Sequence, residues 1–327
     1  MKKFAGTTLI VLLSLFILLS IIPYFISISS VSVNADAAFR ESTYLNVDGV
    51  TLHFRQWTPP AAAIQGKVLL VHGLGGSTFS WRNNTDYLAE NGYLVIAVDL
   101  PGFGYSDRNP AVDHSQKERS SLLWALLDHI DQELDQNTGD RGWILVGHSM
   151  GGGTVSAMTM DKPARTRGLV LVDGAVFDRD ANTAGTLVLY PPLQQWIKIF
   201  FDRRITDEDR FADYLASAYG REPSESEVDG YLAPLKIDGT ADSIIELVKT
   251  AKNEPIGNLK NSGVPIVAIW GEDDTWIPLA QAEAIIDMLP ETELVIIKGA
   301  AHCPMETHDQ VFNDQLLQFI RSLPAEN

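Results

Sequence analysis

The stretch Trp143-Ile144-Leu145-Val146-Gly147-His148-Ser149-Met150-Gly151 joins a short apolar run to a turn rich in small residues. The run predicts a buried strand, and the small residues after the turn predict a helix. The residues of the turn match the pattern G-x-S-x-G. Where this pattern joins a strand to a helix, the sharp turn strains the backbone of the serine and exposes its hydroxyl above the sheet. Gly147 and Gly151 are needed because side chains there would clash across the turn. The helix would aim its first N–H groups at negative charge developing beside Ser149. We therefore interpret Ser149 as a candidate nucleophile.

A nucleophilic serine needs a histidine base and an acid that orients the base. Downstream, residues 264–270 read as a buried strand that runs into Gly271-Glu272-Asp273-Asp274. Glu293–Ile297 read as a further strand, and His302 follows its end. An acid and a histidine thus follow strand ends in the order that this architecture requires. Asp273, and Asp173 after an earlier strand, are alternatives to Asp274 as the acid.

Further stretches extend this pattern, and together they resemble the α/β-hydrolase superfamily, in its lidded branch with a serine nucleophile. These stretches are Val71-His72-Gly73-Leu74-Gly75-Gly76-Ser77, Asp99-Leu100-Pro101-Gly102-Phe103-Gly104-Tyr105-Ser106, Gly271-x-x-Asp274-x-x-x-Pro278, and Gly299-x-x-His302 with Pro304-Met305-Glu306. The resemblance covers roughly residues 43–323. It implies an α/β fold with a mostly parallel eight-stranded sheet, helices on both faces, and a helical lid inserted after the sixth strand.

The resemblance also implies roles for individual residues. Ser149, Asp274 and His302 would form the catalytic triad, with Asp274 preferred because it fits the acid turn best. The backbone N–H groups of Leu74 and Met150 would form the oxyanion hole. No cofactor is implied, and no cluster of cysteine and histidine suggests a metal site. His72, in the oxyanion loop, is a candidate structural hydrogen-bonder and a weaker candidate for the substrate pocket.

The regular alternation of strands and helices stops near Gly174 and resumes at Pro265. About ninety intervening residues are too many for a loop without structure of its own. Their helical segments are Thr186–Phe201, Asp207–Tyr219, Ser224–Leu232 and Ala241–Lys252. This insertion resembles the family's lid, with Trp196 and Phe200 as candidate pocket residues. We therefore divide the chain into an N-terminal segment (1–37), a hydrolase core (43–176 and 263–327) and a lid (177–262).

The N-terminus and the composition indicate where the protein is located relative to the membrane. Met1-Lys2-Lys3 precedes an apolar stretch that continues to Val33, long enough to span a bilayer. We prefer a membrane anchor; a secretory signal cleaved near Ala37 is the alternative. Lys2 and Lys3 predict an extracytoplasmic catalytic domain in either case. The net charge of −17 argues against nucleic acid and against electrostatic attachment to anionic lipid. The membrane is therefore expected to be contacted through the N-terminal segment only.

The leading functional hypothesis is a serine hydrolase acting on an ester or a similar small acyl compound. One alternative is a C–C bond hydrolase, for which Arg179, Arg203, Arg204 and Arg210 could supply basic pocket groups. Another is a cofactor-free perhydrolase or haloperoxidase with the same triad. A ligand receptor on a hydrolase fold is the non-enzymatic alternative. The sequence does not indicate the oligomeric state. Cys303 is the only cysteine, so an intrachain disulfide is impossible.

Overall fold

The computed structural model describes residues 2–28, 39–60, 64–109, 111–134, 142–178 and 188–324, with the backbone alone for residues 2–6. Eight strands form one sheet in the order β1-β2-β4-β3-β5-β6-β7-β8. β1 pairs antiparallel with β2, and β2 with β4; all other neighbours are parallel. The strands are β1 (Ser42–Val47), β2 (Val50–Trp57), β3 (Gly66–Val71), β4 (Tyr93–Val98), β5 (Trp143–His148), β6 (Thr166–Val172), β7 (Ile266–Gly271) and β8 (Glu293–Ile297). The predicted fold class is confirmed.

The helices cover both faces of this sheet and extend beyond it. They are α1 (Lys2–Ile21), α2 (Thr85–Glu90), α3 (Gln116–Glu133), α4 (Met150–Asp161), α5 (Pro191–Phe200), α6 (Glu208–Tyr219), α7 (Glu225–Leu235), α8 (Thr240–Thr250), α9 (Ala280–Met288), α10 (Pro304–Thr307) and α11 (Asp309–Ser322). Short helical turns occupy Ile22–Phe25, Thr78–Trp81, Pro163–Arg165, Phe201–Ile205 and Ile256–Asn261.

The central strands are apolar throughout because helices bury both of their faces. Every residue of β3, β4, β5 and β7 is buried. Leu69 of β3 belongs to a core that includes side chains of α3, α4 and α9. Leu70, its neighbour, belongs to a second core that includes side chains of α2 and α11. This alternation fixes the register of the sheet and therefore the positions of the loops that follow each strand.

The residues before β4 do not form one continuous helix. Ser77 caps the short helical turn Thr78–Trp81 by accepting the N–H of Phe79 (3.2 Å), and α2 begins only at Thr85. Asn84 lies between the two, and its side-chain amide donates to the carbonyl of Met305 (3.0 Å) and to the side chain of Asn313 (2.8 Å). These bonds to a distant part of the chain hold Asn84 outside a regular helix.

The insertion between β6 and β7 contains α5, α6, α7 and α8. Their bounds agree with the predicted helices to within a few residues, except that the predicted start of the first helix lies outside the described residues. The residues around Ala37 also lie outside them. Within the described part of the chain, Thr7–Phe25 is long and apolar enough to cross a membrane. Almost none of this segment is buried in the protein, which fits a membrane anchor or a signal better than a core helix.

Candidate active site

Ser149 occupies the sharp turn between β5 and α4. Its backbone has φ +50° and ψ −119°, a conformation that costs free energy for a residue with a side chain. Its N–H donates to the carbonyl of Val172 in the neighbouring strand (2.9 Å). A Cβ on Gly147 would lie 2.4 Å from the carbonyl oxygen of Gly151, and one on Gly151 would lie 2.5 Å from that of Val71. The predicted strain and the need for both glycines are therefore present in the structure.

Asp274 and His302 meet at the same edge of the sheet, from the turns that follow β7 and β8. Nδ1 of His302 lies 2.7 Å from Oδ2 of Asp274, and both side chains are buried. The other carboxylate oxygen accepts the backbone N–H groups of Trp276 (2.7 Å) and Ile277 (3.0 Å). Burial alone would raise the pKa of Asp274, but its bonds to His302 and to the N–H of Ile277 hold that pKa below its ordinary value. The carboxylate is thus charged and fixed against the ring.

Asp173, the alternative acid after β6, lies beside this pair. Ligand atoms of Asp173, Asp274 and His302 all fall within 4.8 Å of one another. Oδ1 of Asp173 accepts the N–H of Gly271 (2.9 Å). Burial and the charge of Asp274 raise the pKa of Asp173 well above its ordinary value, which favours the protonated form of this acid. A neutral acid is a poor metal ligand, and the arrangement fits a pair of acids in opposite protonation states better than a metal site. Asp273 is exposed.

The two other histidines near Ser149 are held by structural hydrogen bonds. His148 bonds through Nε2 to the carbonyl oxygen of His302 (2.8 Å), and burial lowers its pKa to about 3. His72 bonds through Nδ1 to the carbonyl of Gly73 (2.7 Å) and accepts the N–H of Leu100 at Nε2 (2.9 Å). Both ring nitrogens of His72 are therefore engaged by backbone groups, which agrees with its predicted structural role and leaves neither nitrogen free to bind a substrate.

The predicted oxyanion residues lie on either side of Ser149. Met150 is the first residue of α4, so its N–H has no acceptor within the helix. Leu74 follows Gly73 in the loop after β3, and its side chain is exposed. A Cβ on Gly73 would lie 3.0 Å from Cβ of Ser149, so this loop passes in direct contact with the candidate nucleophile. The loop after β3 and the start of α4 thus both adjoin Ser149, and the oxyanion role of Leu74 and Met150 stays a prediction.

Trp276 is a site residue that sequence reasoning missed. Its ring stacks on the ring of His302, with 5.1 Å between centroids and 28° between planes. The ring also contacts that of Tyr214 of α6, with 4.6 Å between centroids, and its indole N–H donates to the hydroxyl of Ser217 (3.1 Å). Trp276 therefore connects the lid to the candidate base. Its position inside the acid turn, two residues after Asp274, is the signal that could have identified it.

A second contact between lid and core centres on Glu306, four residues after His302. This buried carboxylate accepts the hydroxyl groups of Tyr219 (2.6 Å) and Tyr231 (2.5 Å) and pairs with Arg82. Burial raises the pKa of Glu306 despite the nearby Arg82 charge. The two tyrosines belong to α6 and α7. The lid is thus hydrogen-bonded to the segment that carries the candidate base.

The predicted pocket residues of the first lid helix lie elsewhere. The indole N–H of Trp196 donates to the backbone carbonyl of Leu19 in α1 (2.9 Å). Phe200 is 58% exposed. Neither position supports the predicted pocket role, because α5 packs against the N-terminal helix and against α8, and the local sequence pattern does not reveal these contacts. Arg203, Arg204 and Arg210 are exposed on the lid, and Arg179 lies outside the described residues.

Comparison with known proteins agrees with this architecture. Residues 67–309 match the sequence profile of the family described as alpha/beta hydrolase fold. A 2-hydroxy-6-oxononadienedioate/2-hydroxy-6-oxononatrienedioate hydrolase of Paraburkholderia phymatum is 28% identical over 85% of this chain and 95% of the relative. A non-heme chloroperoxidase of Streptomyces lividans is 26% identical over 86% of this chain and 99% of the relative.

Solved structures show the same fold. The crystal structure of a membrane phospholipase A superposes with a TM-score of 0.68 at 19% identity, covering 98% of each chain. That of a serine hydrolase involved in carbazole degradation superposes with a TM-score of 0.67 at 20% identity, covering 86% of this chain and 98% of the other. The profile match, together with the sheet order and the turn at Ser149, identifies the chain as a hydrolase of the α/β-hydrolase fold family.

Proposed function

We propose that the chain is a serine hydrolase that cleaves carboxylic esters through Ser149, His302 and Asp274. The observation that carries the proposal is the 2.7 Å contact between His302 and the buried Asp274, at the sheet edge where Ser149 has a positive φ. Nδ1 of the imidazole is engaged by the carboxylate. Nε2 is therefore the nitrogen with a free lone pair, and it is the proposed proton acceptor for the Ser149 hydroxyl.

In the proposed reaction, Oγ of Ser149 attacks the ester carbonyl carbon while Nε2 of His302 takes the hydroxyl proton. The negative charge on the former carbonyl oxygen is stabilised by the N–H groups of Leu74 and Met150. Collapse of this intermediate breaks the ester bond, and His302 returns the proton to the leaving alkoxide. Water then hydrolyses the acyl-serine by the same route, which yields the carboxylic acid and the free enzyme. Asp274 stays ionised throughout and stabilises the imidazolium.

The alternatives use the same triad with other substrates. C–C bond hydrolysis is represented by the Paraburkholderia relative and peroxidase chemistry by the Streptomyces relative. The described lid arginines that could hold a dienoate are exposed, which favours an ester. A panel containing p-nitrophenyl esters, a dienoate and a peroxide assay separates these reactions. At least a tenfold higher kcat/KM for the dienoate, or for perhydrolysis, would replace the ester assignment.

The nucleophile is tested with Ser149→Ala. We expect ester turnover to fall by at least about 10³-fold, and labelling by a fluorophosphonate probe to disappear, because the attacking oxygen is removed. Ser156→Ala, in α4, is the matched control: that hydroxyl donates to the carbonyl of Gly152, and its loss should spare both readouts. Circular dichroism checks the fold. Labelling that persists in Ser149→Ala would place the nucleophile elsewhere, and an unlabelled wild type would favour the receptor alternative.

A further inference from the structure

The candidate membrane helix α1 ends against the lid. Besides the bond from Trp196 to Leu19, the hydroxyl groups of Ser20 and Tyr190 lie 2.6 Å apart. The ring of Phe16 stacks on that of Tyr190 with 5.9 Å between centroids. All three contacts join the last turns of α1 to α5 or to the residue just before it. The apolar N-terminal helix is thus held by the same lid that contacts the candidate base through Trp276.

The surface around this contact is exposed and apolar. Leu189 is 62% exposed, Tyr190 41% and Phe200 58%, and Phe25, just after α1, is 82% exposed. We call Leu189, Tyr190, Trp196 and Phe200 the lid face. A contiguous patch of exposed apolar side chains is uncommon on a soluble protein, and such a patch marks an interaction site.

Charge sets the lid face apart from the rest of the protein. The chain carries a net charge of −17, yet Lys198 is the only charged residue in α5, and it pairs with Asp242 of α8. An uncharged surface with tyrosine and tryptophan suits the boundary between hydrocarbon and headgroups, where aromatic side chains are enriched. The lid face also adjoins α1, a helix of 20 residues that is about 30 Å long and so matches the thickness of the hydrocarbon core of a bilayer. This continuity favours a lipid bilayer as the partner of the lid face.

We propose that the lid face rests in the membrane interface beside the end of α1, and that the enzyme hydrolyses ester-linked acyl chains of membrane lipids. This inference rests on the proposed serine hydrolase function and names its substrate class. The acyl group of the lipid passes to Oγ of Ser149, the lipid alcohol leaves with the proton from His302, and water releases a fatty acid. The lid that carries this face also contacts Trp276 through Tyr214, and Trp276 stacks on His302, so the proposed membrane contact and the candidate base adjoin the same insertion.

The contact is measured with the full chain reconstituted in phosphatidylcholine vesicles. A nitrobenzoxadiazole label is placed on Phe200→Cys or, as a control, on Val311→Cys, which is a similarly exposed apolar position of α11. Cys303 is buried and does not compete for the label. Nitroxide lipids should quench the label at residue 200 and leave that at residue 311 unchanged. Equal quenching at the two positions would overturn the membrane contact.

The substrate class is tested with the double variant Leu189→Gln/Phe200→Gln and with the control variant Val311→Gln. The ratio of phosphatidylcholine hydrolysis to soluble p-nitrophenyl butyrate hydrolysis should fall about tenfold or more in the double variant, since two apolar contacts with lipid are lost. It should be unchanged in the control. An unchanged ratio in both variants, or a wild type that cleaves the soluble ester but no vesicle lipid, overturns the lipid assignment and leaves the ester hydrolase intact. Failure of fluorophosphonate labelling overturns the proposed function itself.

Discussion

At the scale of single residues, the second buried acid beside the triad has a consequence for pH. Asp173 has φ +44° and is fully buried next to Asp274, which stays ionised. The two carboxyl groups are therefore driven to opposite protonation states, as happens when like charges share one site. A protonated Asp173 can donate a hydrogen bond to Asp274 and help to hold it against His302.

We predict that Asp173→Asn keeps most activity, whereas Asp274→Asn loses about 10³- to 10⁴-fold, because an amide can replace a neutral acid but cannot orient and stabilise the imidazolium. The measurement is kcat/KM on a soluble ester. Comparable losses in the two variants would make Asp173 the orienting acid.

The raised pKa of Asp173 also predicts how the free energy of unfolding changes with pH. Its pKa in the folded protein is raised above the ordinary value near 3.8, so the folded state binds more protons than the unfolded state above that pH. Stability should therefore fall as pH rises from about 4 towards the raised pKa. Asp173→Asn removes this contribution. Urea unfolding at pH 5 and pH 8 should show a smaller loss of unfolding free energy in the variant than in the wild type; an equal loss would contradict the assignment.

Sequence reasoning identified the residues that lie in motifs and missed those that act through contacts. Ser149, Asp274 and His302 each follow a strand in a turn of recognisable composition, so their meeting at one edge could be predicted. Trp276 and Glu306 lie in the same turns, but their partners Tyr214, Tyr219 and Tyr231 come from the insertion, about 60 to 90 residues away in sequence. Nothing in the local pattern specifies such pairs.

At the scale of secondary-structure elements, the bonds to Glu306 predict how the lid is held. We expect Glu306→Gln to lower the unfolding free energy by about 1–3 kcal/mol, because it weakens a buried charged acceptor of two hydroxyl groups and Arg82. Tyr231→Phe should cost only about 1 kcal/mol. Chemical unfolding measures both changes, with the exposed Glu291→Gln as the control. Faster proteolysis within α6 and α7 should accompany the loss, and its absence would show that Glu306 does not retain the lid.

The strands and most helices could be predicted because apolar runs and helical spacing are local properties of the sequence. The break between residues 81 and 85 could not, since Asn84 is held by bonds to Met305 and Asn313 on the far side of the chain. The sequence also did not reveal which part of the protein the aromatic side chains of α5 contact. The amphipathic pattern of α5 is the same whether Trp196 contacts a pocket or the N-terminal helix.

At the scale of the whole molecule, charge and the N-terminal helix predict orientation. We expect the catalytic domain to lie outside the cytoplasm, since Lys2 and Lys3 precede the apolar segment and should remain inside. Alkaline phosphatase fused after Asn327 should be active, and a cytoplasmic reporter at the same position inactive. The reverse result would overturn this topology. A mature N-terminus close to Ala37 would favour the secreted form over the anchored one.

The burial of Cys303 matters for a protein with this proposed location. An oxidising compartment converts exposed lone thiols into mixed disulfides or sulfenic acids, reactions that begin from the thiolate. Cys303 is 4% exposed, and burial together with the charge of Glu306 raises its pKa well above the ordinary value. The thiol next to His302 therefore stays protonated and out of reach of oxidants. An exported enzyme can in this way keep a cysteine beside its active site without risk of redox inactivation or covalent dimerisation.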